Sequence, residues 1–423
     1  MTTPRMTVAD QARAARATCA LLSRSSGAQR DALLRAMAHG LRGAAGDIHQ
    51  ANQADLDAGT VAGLDAAMLD RLRLDAPRIE ALAGDVERLA ALPDPLAATF
   101  EAQTLPNGLE VHKRRIPIGV LGVVYEARPN VTIDAIALAL KTGNAIVLRG
   151  GSESRRSNRA LVGVCHAALA SAGLPVDAVQ FIDSTERADV LALLGCGEDI
   201  DLIVPRGGAG LHALCRQHAR MPVITGGIGI CHLYVARSAD LQRALGVILN
   251  AKTQRPTVCN ALDTVLLDQA IAECFLPQLV SALRAAGVEL RLDDRAAALV
   301  PPDGAGIRRA APEDFDREWL ALVLGVAVVD DLEAALAHVQ RHSSGHSDGI
   351  LSADPAQAQR FLDSIDSAAV YWNASTRFTD GSQLGLGAEV AISTQRIHAR
   401  GPMGLEALTS YKWIIRGDYH VRP

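Results

Sequence analysis

The chain has 423 residues, a formal net charge of −5 and 21% charged residues, with no basic run that stands out. These values argue against nucleic acid as a partner, because nucleic-acid-binding proteins carry clustered positive charge. The seven cysteines are scattered and contain no Cys-x-x-Cys pair, which argues against a disulfide framework or a zinc site and favours a reducing cytoplasm. No apolar run is long enough to span a bilayer, and residues 1–10 lack a signal-peptide pattern, so we expect no membrane association.

The first part of the chain is predicted to be helical, because Ala and Leu recur at helical spacing. The predicted helices cover residues 8–23, 29–41, 47–58, 64–74 and 76–92. Residues 109–116 then alternate apolar and charged side chains, which indicates an exposed strand that seeks a partner. Residues 408–415 form a second strand-like run, and we expect the two runs to pair and to serve subunit contact.

Strands and helices alternate from residue 118 onwards, which indicates a parallel, doubly wound α/β sheet. The predicted strands of this section are 119–125, 144–149, 178–182, 202–204 and 223–225. A second α/β section follows, with predicted strands at 231–236, 264–267, 288–292 and 326–329. A chain of this length is expected to form two or three domains.

Three glycine-rich segments follow predicted strands, at residues 149–154, 205–210 and 225–229. Ligands bind at the carboxyl ends of strands in open α/β sheets, so the set indicates a ligand-binding edge. The second segment opens a helix and fits G-x-G-x-x-A, which suits a diphosphate. It lacks the acidic residue expected about 20 positions further on. Taken alone, it fits a cofactor loop and an ordinary strand-to-helix turn about equally.

One cysteine, Cys259, lies in a polar turn between a predicted helix and a predicted strand. Lys252 and Arg255 are close in sequence, and nearby positive charge favours the reactive thiolate. Cys259 is therefore a candidate nucleophile for acyl or aldehyde chemistry. The alternative is a buried cysteine that packs as a small apolar side chain.

Three histidines, His338, His342 and His346, recur at intervals of four. On one helix this spacing can bind a metal. Residues 343–345 break the helix, and no acidic or cysteine ligand joins the histidines at metal spacing. We therefore predict no metal site.

Seven segments of the chain occur in the order and spacing of the gamma-glutamyl phosphate reductases, which the chain resembles from about residue 116 to 416. The segments are 128–132, 141–153, 205–210, 258–261, 345–348, 373–381 and 398–413. The resemblance implies the α/β fold of the aldehyde dehydrogenase superfamily. The implied parts are a Rossmann-type nucleotide-binding domain (1–103 and 118–227), a catalytic domain (228–403) and a small oligomerisation hairpin (104–117 and 404–423).

The resemblance implies NADPH-dependent reduction of L-glutamyl 5-phosphate to L-glutamate 5-semialdehyde with release of phosphate, the second step from glutamate towards proline. Cys259 would attack the acyl phosphate, and the resulting thioester would accept hydride from NADPH. The side chain of Asn130 and the backbone N–H of Cys259 match the superfamily's oxyanion donors.

A departure from the hydrolytic members of the superfamily concerns residues 224–227. Those enzymes resemble Glu-Leu-Gly-Gly here, and the glutamate activates water, whereas this chain has Ile-Thr-Gly-Gly. Ile224 cannot act as a base, which favours a phosphorylating reductase over a hydrolytic semialdehyde dehydrogenase. A third reading, a dinucleotide-binding scaffold without catalysis, is disfavoured by Cys259 together with Asn130.

The resemblance also implies ligand contacts. Arg149 stands where superfamily members carry a lysine near the adenine ribose, and it is expected to hold a 2′-phosphate. Gly207 and Gly208 are expected to lie beneath the diphosphate. Glu318 is expected to bind the nicotinamide ribose. The substrate-binding candidates are Arg255, Asn373, Ser375, Thr376 and Arg377, the last of which suits a structural role equally well. We expect a homo-oligomer, a dimer or tetramer. The preference between NADPH and NADH and docking with glutamate 5-kinase stay open.

Overall fold

The computed structural model describes residues 6–226, 228–302 and 306–422. Its helices, in chain order, are α1 (Val8–Leu22), α2 (Gly27–Gly43), α3 (Ala45–Val61), α4 (Ala66–Leu72), α5 (Ala76–Ala91), α6 (Asn130–Lys141), α7 (Arg155–Ser171), α8 (Arg187–Gly195), α9 (Ala209–His218), α10 (Leu241–Thr253), α11 (Gln269–Ala285), α12 (Asp294–Leu299), α13 (Leu332–His342) and α14 (Pro355–Ser364). Its strands are β1 (Thr99–Thr104), β2 (Glu110–Pro117), β3 (Val120–Tyr125), β4 (Ala145–Arg149), β5 (Val179–Phe181), β6 (Leu202–Arg206), β7 (Cys231–Val235), β8 (Leu262–Asp268), β9 (Glu289–Leu292), β10 (Ile307–Arg309), β11 (Val323–Val329), β12 (Ser347–Leu351), β13 (Ala369–Trp372), β14 (Ile392–Ser393), β15 (Gly401–Pro402) and β16 (Thr409–Arg416).

The chain divides into two units. The first consists of Met1–Thr225, Gly385–Ala391 and Pro402–Pro423, and the second of Gly226–Leu384 and Ile392–Gly401. None of the described helices is both long and apolar enough to cross a membrane.

The first unit contains a four-stranded parallel sheet in the order β5-β4-β3-β6. Every residue of β3 is buried, as expected for a strand covered on both faces. The strand predicted at 223–225 is wrong: Val223 forms only an isolated bridge with Ile203. Pro222 has no N–H to donate, and the chain enters a glycine-rich segment directly after Thr225, so the pairing stops there.

A separate antiparallel sheet of the first unit has the order β1-β2-β16. The predicted pairing of residues 109–116 with 408–415 is confirmed, since β16 pairs with β2 along its whole length. Lys113 lies 4.6 Å from the ring centroid of Tyr411 and 4.9 Å from that of Trp413. The strand β1 was not predicted from the sequence, because nearly all of its side chains are exposed and they show no apolar alternation.

The second unit is built on a seven-stranded parallel sheet in the order β10-β9-β11-β8-β7-β12-β13. Its central strands β7 and β8 are buried at every residue, which agrees with their largely apolar sequence. The polar residues in these strands are buried as well, namely His232, Asp263, Thr264 and Asp268. Alternate side chains enter two apolar clusters. Leu233 and Val265 pack with Phe275 in one of them, and Tyr234 and Leu266 pack in the other. The loops at the start of β7, β8 and β12 are thereby held on a rigid sheet.

Candidate active site

Cys259 lies in the second unit on a turn of residues 254–260, which we call the cysteine turn. The turn connects the end of α10 to the segment that enters β8. The Cys259 residue is half-buried, and its backbone carbonyl accepts a hydrogen bond from the Cys231 thiol, with a sulfur-to-oxygen distance of 3.3 Å. Burial raises the pKa of Cys231 well above its ordinary value, so this thiol keeps its proton and remains a donor.

Gly229 packs directly against the cysteine turn. A Cβ atom added to Gly229 would lie 1.6 Å from the carbonyl oxygen of Cys259, a distance that no real contact reaches. The Gly229 N–H donates to Oε1 of Glu318 at 2.9 Å, and burial raises the pKa of this carboxyl group. Glu318, which is expected to bind the nicotinamide ribose, therefore contacts Gly229, the residue that packs against Cys259.

A second turn, residues 375–379, holds the cysteine turn in place, and we call it the arginine turn. The Thr376 hydroxyl donates to the backbone carbonyl of Asn260 at 2.8 Å, and the Asn260 amide donates to the Thr379 carbonyl at 2.8 Å. At the other end of the cysteine turn, Nε of Arg377 donates to Oε1 of Gln254 at 2.8 Å. Thr376 is fully buried, so its hydroxyl serves this contact in the described structure.

Two other substrate-binding candidates also have internal partners. Asn373 has a φ of 55° and exchanges two side-chain hydrogen bonds of 2.9 Å with the backbone of Ser352. The Ser375 hydroxyl accepts the Arg377 N–H and caps the short 3-10 helix that follows it. Of the five candidates, Arg255 and Arg377 carry the positive charge that suits a substrate anion, and the hydrogen bond from Arg377 to Gln254 uses its Nε.

Lys252 and Arg255 were both expected to lie near the Cys259 thiol, but the two cations have different environments. Lys252 is fully buried, and its ammonium nitrogen lies 3.7 Å from Oδ1 of Asp263. Arg255 is exposed. Burial and the charge of Arg255 lower the pKa of Arg377, whereas the charges of Asp380 and Cys259 act in the opposite direction. The two guanidinium groups at the turn are thus those of Arg255, within it, and of Arg377, on the arginine turn.

The first unit carries the predicted diphosphate loop. Gly208 caps the amino end of α9, and its N–H donates to Oε2 of Glu126 at 3.0 Å. A Cβ atom on Gly207 would lie within 2.8 Å of the Glu126 carboxyl group. The loop therefore binds an anionic group, as a helix amino terminus with glycines does. In the described structure that group is a side chain of the chain itself.

The remaining predicted residues of the first unit lie near strand ends. Arg149 ends β4, and one of its terminal nitrogens donates to the Gly150 carbonyl at 2.7 Å; burial lowers the pKa of the guanidinium. Asn130 opens α6 and donates to Oδ2 of Asp134 at 3.1 Å; burial raises the pKa of Asp134 to about 7. Ile224 is fully buried. Gly227, from the same motif, lies outside the described residues.

The three spaced histidines occupy different environments. His338 and His342, both on α13, have ring centroids 4.5 Å apart with the rings tilted by 42°. His346 follows the helix and shares a hydrogen bond with the Ser347 hydroxyl. Within the described ranges, no group of three or more histidine, cysteine or acidic side chains is placed to hold a metal ion.

Sequence reasoning missed Glu126 in the first unit and Gly229, Cys231 and Asp263 in the second. Each lies close to a segment that the sequence did single out. Glu126 directly precedes the 128–132 segment, and Gly229 ends a glycine cluster. The position of Cys231 at the start of a predicted strand was a signal, because strand starts in a parallel sheet lie beside one another. No sequence pattern marked Asp263.

The chain matches the model of the aldehyde dehydrogenase family over residues 2–300. It is 54% identical over 395 residues to the gamma-glutamyl phosphate reductase of Psychromonas ingrahamii, covering 93% of this chain and 94% of that protein. The structure of gamma-glutamyl phosphate reductase from Thermotoga maritima superposes with a TM-score of 0.96 at 40% identity, covering 99% and 100% of the two chains. An engineered glycolyl-CoA reductase with bound NADP+ shares the fold alone, with a TM-score of 0.70 at 15% identity over 97% and 96% of the chains.

Proposed function

Because this chain belongs to the aldehyde dehydrogenase family and, within it, to the gamma-glutamyl phosphate reductases, we propose that it reduces L-glutamyl 5-phosphate to L-glutamate 5-semialdehyde with NADPH and releases phosphate. The reaction is the second step from glutamate towards proline. One observation carries the proposal. A half-buried cysteine lies on a turn that is held at both ends by hydrogen bonds, that contains Arg255 and that contacts Arg377.

In the proposed chemistry, the Cys259 thiolate attacks the acyl carbon of the substrate. The bond from that carbon to the phosphate oxygen breaks, phosphate leaves, and a thioester to Cys259 remains. The backbone N–H of Cys259 and the Asn130 amide are the proposed donors to the oxyanion. Arg255 and Arg377 are the proposed ligands of the substrate phosphate or α-carboxylate, because guanidinium groups bind both with paired hydrogen bonds.

The residues of the first unit fit a dinucleotide. The Gly208 N–H already binds a carboxylate, and a side chain at Gly207 would fill the loop, so this loop suits a diphosphate. Arg149 is the proposed ligand of the 2′-phosphate. Glu318, which belongs to the second unit, is the proposed ligand of the nicotinamide ribose. The NADP+ bound to the glycolyl-CoA reductase of the same fold supports this choice of cofactor. When bound, NADPH supplies the hydride that reduces the thioester.

The proposal also names the acceptor of the acyl group in the reverse direction. Ile224 is fully buried and offers no base where hydrolytic enzymes carry a glutamate. Water is then not activated at this position, and phosphate is the proposed partner that releases the acyl group from Cys259.

The reverse reaction tests this function. The protein is mixed with NADP+ and L-glutamate 5-semialdehyde, and reduced cofactor is followed by absorbance with and without phosphate, beside Cys259→Ala. We expect formation of NADPH that requires both phosphate and Cys259. A rate without phosphate would mean that water accepts the acyl group and that the enzyme is a hydrolytic dehydrogenase. Full activity of Cys259→Ala would exclude the thioester.

The antiparallel sheet of the first unit is the proposed surface for homo-oligomer formation. Its edge strand β16 leaves Tyr411, Trp413 and Ile415 between 47% and 61% exposed. Burial of such side chains stabilises subunit contacts. We expect Trp413→Asp to lower the oligomer mass measured by light scattering, whereas Val61→Asp, a change of an exposed apolar side chain elsewhere, leaves the mass unchanged.

A further inference from the structure

We infer that Thr376 and Asn260 are positioning residues for Cys259, which hold the cysteine turn and the arginine turn in one fixed register. The inference rests on the proposed role of Cys259 as nucleophile. It replaces the expectation that Thr376 binds the substrate, and it gives a function to Asn260, which sequence reasoning did not single out.

The contacts of Asn260 fix the carboxyl end of the cysteine turn. Its backbone carbonyl accepts the Thr376 hydroxyl, and its side-chain amide donates to the Thr379 carbonyl, both at 2.8 Å. Thr376 and Thr379 are fully buried, and Asn260 is 4% exposed. Buried hydrogen bonds of this kind are costly to break, because the separated groups find no water. The residue directly after Cys259 is therefore held by both its backbone and its side chain.

The amino end of the same turn is held by the neighbouring residue of the arginine turn. Nε of Arg377 donates to Oε1 of Gln254 at 2.8 Å. Two consecutive residues, Thr376 and Arg377, thus bind opposite ends of the cysteine turn. Any displacement of the arginine turn would move the backbone on both sides of Cys259.

The arginine turn is itself anchored to the parallel sheet of the second unit. The Thr379 hydroxyl shares hydrogen bonds of 2.6 Å with the Ser347 hydroxyl and with the Tyr371 hydroxyl. Ser347 begins β12 and Tyr371 lies in β13, which are adjacent strands. The sheet thereby fixes the arginine turn, and the arginine turn fixes the cysteine turn.

Gly229 also confines the backbone of the cysteine turn. Gly229 touches the Cys259 carbonyl so closely that even a methyl group would collide there. The backbone of Cys259 is therefore confined by Gly229, while hydrogen bonds to the arginine turn hold Gln254 and Asn260. Such confinement matters for attack on a carbonyl, because a misplacement of about 1 Å can lower a rate about 100-fold.

Three variants separate positioning from substrate binding. Thr376→Val keeps the side-chain volume and removes the hydroxyl donor, and Thr376→Ser restores the donor. Thr264→Val is the matched control in the same unit, since Thr264 is equally buried and its hydroxyl has no hydrogen-bond partner among the described residues.

In the reverse assay with NADP+ and phosphate, we expect Thr376→Val to lower kcat about 10- to 100-fold while KM for the semialdehyde changes less than about twofold. Thr376→Ser should recover most of the activity, and Thr264→Val should retain it. A wild-type kcat in Thr376→Val overturns the inference. A raised KM with unchanged kcat also overturns it, because that result indicates direct substrate binding.

A variant at Gln254 and an alkylation assay provide two independent checks of the inference. Gln254→Met changes an exposed side chain, so it leaves folding intact, and we expect its kcat to fall about 10-fold. The rate at which iodoacetamide alkylates Cys259, followed by peptide mass spectrometry, needs no turnover. We expect it to change at least about threefold in Thr376→Val and in Gln254→Met. An unchanged alkylation rate in both variants overturns the inference. Because alkylation does not depend on turnover, this result is distinct from a failure of the proposed function, which Cys259→Ala tests.

Discussion

The ammonium nitrogen of Lys252, near the end of α10, lies 3.7 Å from Oδ1 of Asp263, near the start of β8, and both side chains are buried. Asp263 also accepts the backbone N–H groups of Cys231 and Trp319 at 3.4 and 3.2 Å. Burial raises the pKa of Asp263 to about 6, and Lys252 opposes that rise. The pair therefore links the end of α10 to the segments that contain Cys231 and Trp319.

We predict that Lys252→Met destabilises the protein by about 3–5 kcal/mol, because it leaves a buried carboxylate without its cation. A carboxyl group with a raised folded-state pKa stabilises the fold below its unfolded pKa, and this contribution is lost as the pH rises through the folded value. The loss of unfolding free energy caused by Lys252→Met, measured by urea unfolding, should therefore be larger at pH 8 than at pH 5.5. Lys252→Met with Asp263→Asn should recover part of it. An equal deficit at both pH values would contradict this explanation.

The contact between Gly229 and Cys259 predicts an unusually severe glycine substitution. Gly229→Ala places a methyl group 1.6 Å from the Cys259 carbonyl oxygen, so the cysteine turn must move. We expect at least a 100-fold loss of kcat, about the cost of misplacing a reacting group. Gly246→Ala is the control, because Gly246 lies exposed in α10 with open space around it. That change should stabilise the protein by about 0.5–1 kcal/mol. Similar kcat values for the two variants would contradict the prediction.

The elements that sequence reasoning predicted well are those with a clear apolar period. The buried strands β3, β4, β7 and β8 are rich in apolar residues, and their alternation with helices indicates a parallel sheet. The pairing of β2 with β16 was also predicted, since both show alternation. The wrong strand at 223–225 has suitable residues, but its neighbours prevent pairing.

The site was predictable only in part, for a physical reason. Cys259 stands in a recognisable polar turn, whereas the role of Thr376 depends on a contact with a residue 116 positions away. A hydroxyl in a motif suggests ligand binding until its buried partner is known. In the same way, no local pattern shows that Glu126 folds back onto the Gly208 N–H.

The Glu126 carboxylate predicts a change in cofactor affinity. It occupies the N–H group of Gly208 where the diphosphate is proposed to bind, so it competes with and repels that anion. We expect Glu126→Gln to bind NADPH about 3- to 10-fold more tightly at low salt, measured by fluorescence titration without substrate, with a smaller gain at high salt. Glu198→Gln makes the same change in net charge at another exposed site and should leave the affinity unchanged. Weaker binding by Glu126→Gln would mean that the carboxylate contacts the cofactor favourably.

The imidazole of His338 predicts a loss of stability in mild acid. Its ring packs against His232, Phe315 and His342, and burial, followed by the charges of His232 and His342, lowers its pKa to about 3. When the pH falls below the ordinary histidine pKa, the imidazole is protonated in the unfolded chain but stays neutral in the folded chain. The contribution of His338 to stability is therefore complete above about pH 6.5 and is lost as the pH falls towards 3. Lowering the pH from 7.5 to 5.0 should therefore cost about 1–2 kcal/mol through this residue.

The test is the free energy of unfolding by urea at pH 7.5 and pH 5.0. His338→Gln cannot take up this proton. We therefore expect the variant to lose about 1 kcal/mol less stability than the wild type when the pH falls from 7.5 to about 5.0. This is the lower end of the range given above, because His338 is partly exposed. His398→Gln removes an exposed imidazole of the same unit and should leave the wild-type difference in place. His346, fully buried with a pKa lowered to about 4, adds a similar loss to all three proteins and does not affect the comparison. An unchanged difference in His338→Gln would mean that His338 is protonated to the same extent in the folded and unfolded chains.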